Sequence, residues 1–243
     1  MNLVHRSSVL AGLALLAGAL ATPLAAAPLT PADLHGKHVL FVVSLVSKSH
    51  PTDLKVLQHL ESLGLVVKTV DDVTPVTAAE GQDLVIISST VSGKNVEGRF
   101  KHSTTPVLLW ESNILDDMSM TGKHQDVDWG EDEKPEQTYL WLVNAPHPLS
   151  AGLPNGLLSP FAESVKKINW GKPGLGAAII ATLPGEPAKA VIFGYETGAI
   201  MDYDFPAPAR RVMFFLHNAT FDNLNASGLK LFDAAVLWAA GKP

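Results

Sequence analysis

KHVLFVV, residues 37–43, and TDLKVLQHLESLG, residues 52–64, decide the fold. The first is continuously apolar from Val39 to Val43 and rich in β-branched side chains. A run without alternation suits a strand buried on both faces, as in a parallel sheet. The second places Leu54, Leu57, Leu60 and Leu63 on one helical stripe. Thr52 reads as its N-cap, and Gly64 stands where a helix-terminating glycine belongs.

The same alternation continues outward. Leu65 to Val70 reads as a second strand ending at Asp71-Asp72, and TPVTAAEGQ as a short helical or irregular piece. Leu84 to Ser88 is a third strand. After a polar loop and a weak helix, VLLW forms a fourth that ends at Glu111. Strands and helices at this spacing predict an α/β, doubly wound, mainly parallel sheet. From Ser112 to Gln137 the chain is acidic, with little hydrophobic periodicity, and reads as a long surface excursion. Order returns at Thr138 to Val143. Ala177–Leu183 and Ala190–Tyr195 flank PGEPAK, a hairpin turn by composition. Arg211 to Leu216 is a last strand. In the closing helix Leu229, Phe232, Val236 and Ala239 share a face, and Gly241 ends it.

With 243 residues, 47% of them hydrophobic and 17% charged, the chain has the composition of a folded domain rather than a disordered polymer. The absence of cysteine excludes a thiol nucleophile, a thiolate metal site and redox-thiol chemistry. A net charge of −6 argues against non-specific nucleic-acid binding. Arg6, the apolar run from Val9 to Ala21 and the small residues Ala25-Ala26-Ala27 make residues 1–26 a secretory signal peptide. That run falls short of the roughly 20 residues of a spanning helix. A secreted or periplasmic protein follows, without a membrane segment after cleavage, whose residues 27–243 make a single domain. The oligomeric state is left open.

Ligands of an open parallel sheet bind beyond the carboxyl ends of its strands. That rule selects Ser44, Ser47, Lys48 and His50 after the first strand and Ser88, Ser89 and Thr90 after the third. It adds Glu111, Ser112 and Asn113 after the fourth and His217 after the last.

The segments DLVIISSTVSG (83–93), TPVLLWESN (105–113), NAPHPLSAGLP (144–154) and ARRVMFFLHNATFDNL (209–224) carry a resemblance, together with LFDAAVLWAAG (231–241). In their order and spacing they resemble the class I glutamine amidotransferase-like superfamily, and within it the ThuA-like branch, which includes secreted bacterial domains. The resemblance implies a flavodoxin-like sheet with extra strands on its C-terminal side. It also exposes departures. The family delivers a cysteine at the end of the fourth strand, where this chain has Glu111. The family's histidine matches His217, but the acidic residue expected two positions later is Ala219. Covalent glutamine hydrolysis is therefore not available. The branch's association with sugar metabolism implies a carbohydrate or another small polar ligand.

Each candidate has two readings. Glu111 is a general acid or base with a raised pKa, or a structural carboxylate capping the next helix. His217 pairs with Glu111, joins it on a metal, or is a buried histidine bonded to a loop carbonyl. His147 approaches the same cleft or shapes a turn. Ser88, Ser89 and Thr90 stand where the family has a glycine-rich oxyanion loop, and offer hydroxyls and amides to a sugar or an anion. A Ser–His–Glu hydrolase lacks the G-x-S-x-G elbow. His124, in the acidic stretch, is expected to be exposed. DVDWGEDEKPE does not fit a calcium loop, and no metal ligands are assigned. Trp129, Trp141 and Trp170 stack on sugar rings or fill the core. Two functions remain. One is a module, without amidotransferase activity, that binds a carbohydrate at the strand ends through Ser88, Ser89, Thr90, Ser112, Asn113 and His147. The other is a carbohydrate-active enzyme using Glu111 and His217, with or without a divalent cation. Neither calls for an organic cofactor.

Overall fold

The computed structural model describes residues 30–133 and 139–241. The expected signal peptide lies outside them, as do residues 134–137 of the acidic stretch and residue 138, where order was expected to return. The elements in chain order begin with β1 (His38–Val43), α1 (His50–Ser62), β2 (Val66–Asp71), β3 (Leu84–Ile87), α2 (Gly93–Val96) and β4 (Val107–Leu109). They continue with β5 (Trp129–Asp132), β6 (Leu140–Leu142), β7 (Gly156–Leu158) and β8 (Ile168–Gly171). The last are β9 (Ala178–Leu183), β10 (Glu186–Tyr195), β11 (Arg211–Met213) and α3 (Ala226–Ala240). The strands form one sheet in the order β2-β1-β3-β4-β11-β10-β9-β6-β7, with β8 pairing β10 and β5 pairing β8. β2, β1, β3, β4 and β11 run parallel, and every pairing beyond β11 is antiparallel. This is the expected α/β flavodoxin-like sheet with extra strands toward its C-terminal side.

β1 has no polar–apolar alternation because both of its faces are covered. Val39, Phe41 and Val43 join one core with Val56 and Leu60 of α1 and Phe232 and Val236 of α3. Leu40 and Val42 join the opposite core with Val96, Phe100, Met118 and Met213. Among the described residues, no helix is long and apolar enough to cross a membrane.

Three local expectations are corrected. α1 starts two residues before Thr52, with Ser49 at the N-cap position and Pro51 in its first turn, where a missing N–H costs nothing. Its buried face is Thr52, Asp53, Val56 and Leu60, so Leu54 is left 44% exposed. The acidic stretch is not a surface excursion. Ile114, Leu115, Met118 and Met120 are fully buried, and β5 pairs with β8. Ile114, Leu115 and Met118 keep a helical spacing for barely one turn, too short a run to register as an amphipathic element.

At the N-terminal end of β11, Arg211 is fully buried. Its guanidinium donates to the carbonyls of Lys101, Ser103 and Thr105 before β4, and to those of Ala209 and Arg210. It thereby ties the two innermost strands together at their base. Replacing it with leucine removes every one of those donors while keeping the volume apolar. Urea unfolding of Arg211→Leu should show a loss of about 2–4 kcal/mol; a loss below about 0.5 kcal/mol would show that the carbonyls do not need the cation.

Candidate functional site

β4 and β11 are paired at Val107–Arg211, Leu108–Val212 and Leu109–Met213. One further bond, from the Phe214 N–H to the Leu109 carbonyl at 2.9 Å, closes the ladder. Beyond it the chains rise to Glu111 and His217, at neighbouring strand ends.

Glu111 is 4% exposed. It precedes the helical turn Ser112–Ile114, and its Oε1 accepts from the Asn113 N–H at 2.9 Å and from Asn113 Nδ2 at 2.6 Å. Burial pushes its carboxyl up to about 7, with a smaller push from the charge of Glu131 and an opposing pull from the Asn113 bonds. The capping role and the raised pKa, which the sequence offered as alternatives, therefore occur together.

His217 faces Glu131, which no motif marked. Glu131 Oε1 lies 3.5 Å from His217 Nε2, and its Oε2 accepts from Lys167 Nζ at 2.6 Å. The His217 contact, followed by Lys167, holds this carboxyl down at about 2 against its partial burial. The position that would carry the family's orienting acid is the exposed Ala219, but a carboxylate reaches the histidine from β5 instead. Glu131 is set there by register, because it stands opposite Asn169 in the β5–β8 ladder. Ser112, Asn113, Asp126, Trp129, Glu131 and Glu133 line a cleft of about 310 Å³ at this crest. With Gln125 also on its wall, its chemistry is that of carboxylate acceptors, two amides, one hydroxyl and one indole. Among the described residues, no three His, Asp or Glu side chains are grouped to hold a metal ion.

The other expected residues divide. Ser112 is buried and donates to Asn169 Oδ1 at 3.2 Å, whereas Asn113 is exposed at the rim. Ser88 and Thr90 are buried, and their hydroxyls donate to the two oxygens of Asp53, both at 2.7 Å. Asp53 lies in the first turn of α1, and burial raises its pKa. The Ser88 and Thr90 side chains therefore serve a structural network, which answers the expectation that they meet a ligand. Ser89 Oγ accepts from the Asn218 N–H at 2.7 Å and so fastens the residue after His217, whose φ is 22°. His147 is misplaced by the sequence reading. Its Nδ1 accepts from the Leu149 N–H, and its ring packs 5.6 Å from Trp238. The Trp238 carbonyl in turn accepts a hydrogen bond from Arg210, at the N-terminal end of β11. That is the end of the strand opposite His217. Burial lowers the His147 pKa. Trp129 and Trp170 are buried, Trp141 is 46% exposed on β6, and His124 is exposed.

No protein-family model matches the chain, and no curated protein matches it in sequence. Among solved structures it is similar to a ThuA-like protein from Parabacteroides merdae. The TM-score is 0.52 at 14% identity, covering 85% of this chain and 90% of that one. A protein assigned to GMP synthase, from Thermoplasma acidophilum, also matches, with a TM-score of 0.43 at 13% identity, over 85% of this chain and 96% of that one. The first likeness is one of fold, and it is the fold that the sequence resemblance implies.

The Glu111 carboxyl is held above its ordinary value of 4.5, so the folded chain binds that proton more tightly than the unfolded chain does. Stability therefore falls as pH rises from about 4.5 to about 7 and stays lowered above that range. Glu111→Gln keeps an acceptor for Asn113 and escapes the penalty. Its melting temperature relative to the parent should climb between pH 5 and pH 8, by the equivalent of about 1–3 kcal/mol. A difference that does not change with pH would refute the raised pKa.

Proposed function

We propose that this chain is a non-covalent binding module for a carbohydrate or similarly polar small molecule, seated in the crest cleft between β5 and the turn after β4. One observation carries the reading. The side chain at the position of the family's nucleophile, Glu111, has Oε1 engaged as the cap of its own helical turn. Ser88, a hydroxyl alternative from the neighbouring β3 end, is 1% exposed and bonded to Asp53. What the cleft offers instead is recognition chemistry. Asp126, Glu131 and Glu133 accept from hydroxyls, Asn113 donates and accepts, and Trp129 supplies an apolar wall. Export to the periplasm or beyond, read from residues 1–26, would put such a module among extracytoplasmic sugars.

A second reading, a carbohydrate-active enzyme, is favoured by the separation of the two carboxyls. Glu111 at about 7 is suited to move a proton near neutral pH, while Glu131 at about 2 stays ionised and holds His217. In this reading Glu111 is the acid/base group and His217 acts through Glu131, which lines the cleft where neither Glu111 nor His217 does.

Isotope-labelled protein titrated with neutral mono- and disaccharides should show amide shifts at Asn113, Gly130 and Glu131. Asp126→Asn should weaken whichever sugar binds by about tenfold, the worth of one charged acceptor. Incubation with glutamine should release no ammonia. Sugars that leave those amides unmoved, or ammonia that appears, would overturn the module. Turnover of a bound sugar that is lost in Glu111→Gln would replace it with the enzyme.

A further inference from the structure

We infer that Asn169 is the positioning residue of the crest. Its carboxamide acts as a surrogate rung between β4 and β11, fixing Glu111, Ser112 and His217 relative to one another. The inference rests on reading the crest as the functional site.

The backbone ladder between the two strands ends at Leu109 and Phe214. Above that point a parallel pair has no further main-chain rung, yet the residues that matter lie two or three positions beyond it. Asn169, on β8, is 1% exposed. Its Nδ2 donates to the Trp110 carbonyl at 2.5 Å and to the Leu216 carbonyl at 2.7 Å. Those are the residues immediately before Glu111 and His217. A primary amide has two N–H bonds in a rigid plane, so one side chain spans both strand ends. Its Oδ1 accepts from Ser112 Oγ at 3.2 Å, and its backbone N–H donates to the Phe215 carbonyl at 3.1 Å. Every hydrogen-bonding group of the side chain is therefore engaged, and each bond goes to the chain beside a crest residue. Across the β5–β8 ladder Asn169 also faces Glu131, the carboxylate that meets His217.

A rung of this kind keeps water out from beneath Glu111. Its removal should let the strand ends separate and hydrate the carboxyl. The Glu111 side-chain carbon is followed by NMR through a pH titration, with the His217 ring signals as a second reporter. Asn169→Ala should lower the Glu111 midpoint by about one pH unit or more, toward the ordinary carboxylate value, and should move the His217 ring signals. Asn169→Thr keeps one donor and suits a strand, so it should give a smaller shift of the same sign. It also decides the matter if the alanine variant does not fold. Ser150→Ala removes a buried hydroxyl bonded to the Asn144 carbonyl in the segment that carries His147, at the opposite end of β11, and should leave both reporters unchanged. A folded Asn169 variant with an unmoved Glu111 midpoint and His217 ring would overturn the inference. So would an equal shift in Ser150→Ala. The titration uses no ligand, so its outcome stands apart from any failure to find a sugar.

Discussion

The parallel pairing of β4 with β11 is the constraint on which the rest depends. Three residue pairs, from Val107–Arg211 to Leu109–Met213, bring together two segments far apart along the chain. Two distant turns of chain then end side by side. Both faces of the sheet are occupied, one by α1 and α3 and the other by Val96, Phe100, Met118 and their neighbours. Chemistry is confined to the strand ends, because only there can polar groups meet solvent without opening a core. Arg211 holds the base of this pair and Asn169 holds its top. Each is a buried polar side chain engaged with backbone carbonyls.

At the crest, a carboxyl group stands where the resembling family places a sulfur. A thiol at a strand end is small and tolerates burial, whereas a carboxylate there must be hydrogen-bonded or protonated. Glu111 does both in part. Asn113 satisfies one of its oxygens, and burial beside the ionised Glu131 keeps its pKa high. Glu131 is stable as an anion because His217 and Lys167 approach its two oxygens from different sides. Two side chains of the same chemistry thus titrate at about 7 and at about 2 through surroundings alone.

The parallel core was legible in the sequence because burial on both faces leaves an unmistakable apolar run, as in Val39–Val43, and because such runs recur up to Glu111 although only the first connection, α1, carries a full helical period. Glu111 and His217 were legible for the same reason, since each ends such a run. Glu131, Lys167 and Asn169 were not. β5 and β8 are four residues each and are joined only by non-local pairing, so WGED and INWG carry no period that a window could detect. His147 misled because a histidine before a proline turn looks the same whether that turn sits at the crest or at the base. Only the docking of its segment on α3 decides which. Ser88 and Thr90 misled because nothing local to SST reveals that Asp53, far earlier in the chain, turns into the core to meet them.

The acidic stretch shows how the missing information entered the fold. By composition it belongs in water, but Ile114, Leu115, Met118 and Met120 draw it over the strand ends, and β5 locks it to β8. The sparse apolar residues set its position, and the abundant acidic ones acquire their roles from that position. Glu131 becomes the partner of His217 only because its register opposes Asn169. A slip of one residue would turn it to the other face of the ladder and bring a neighbour in its place. The carboxylate that meets His217 is thus specified by strand pairing rather than by spacing along the chain. A search for an acid two positions after the histidine, where Ala219 stands, therefore looks in the wrong part of the sequence.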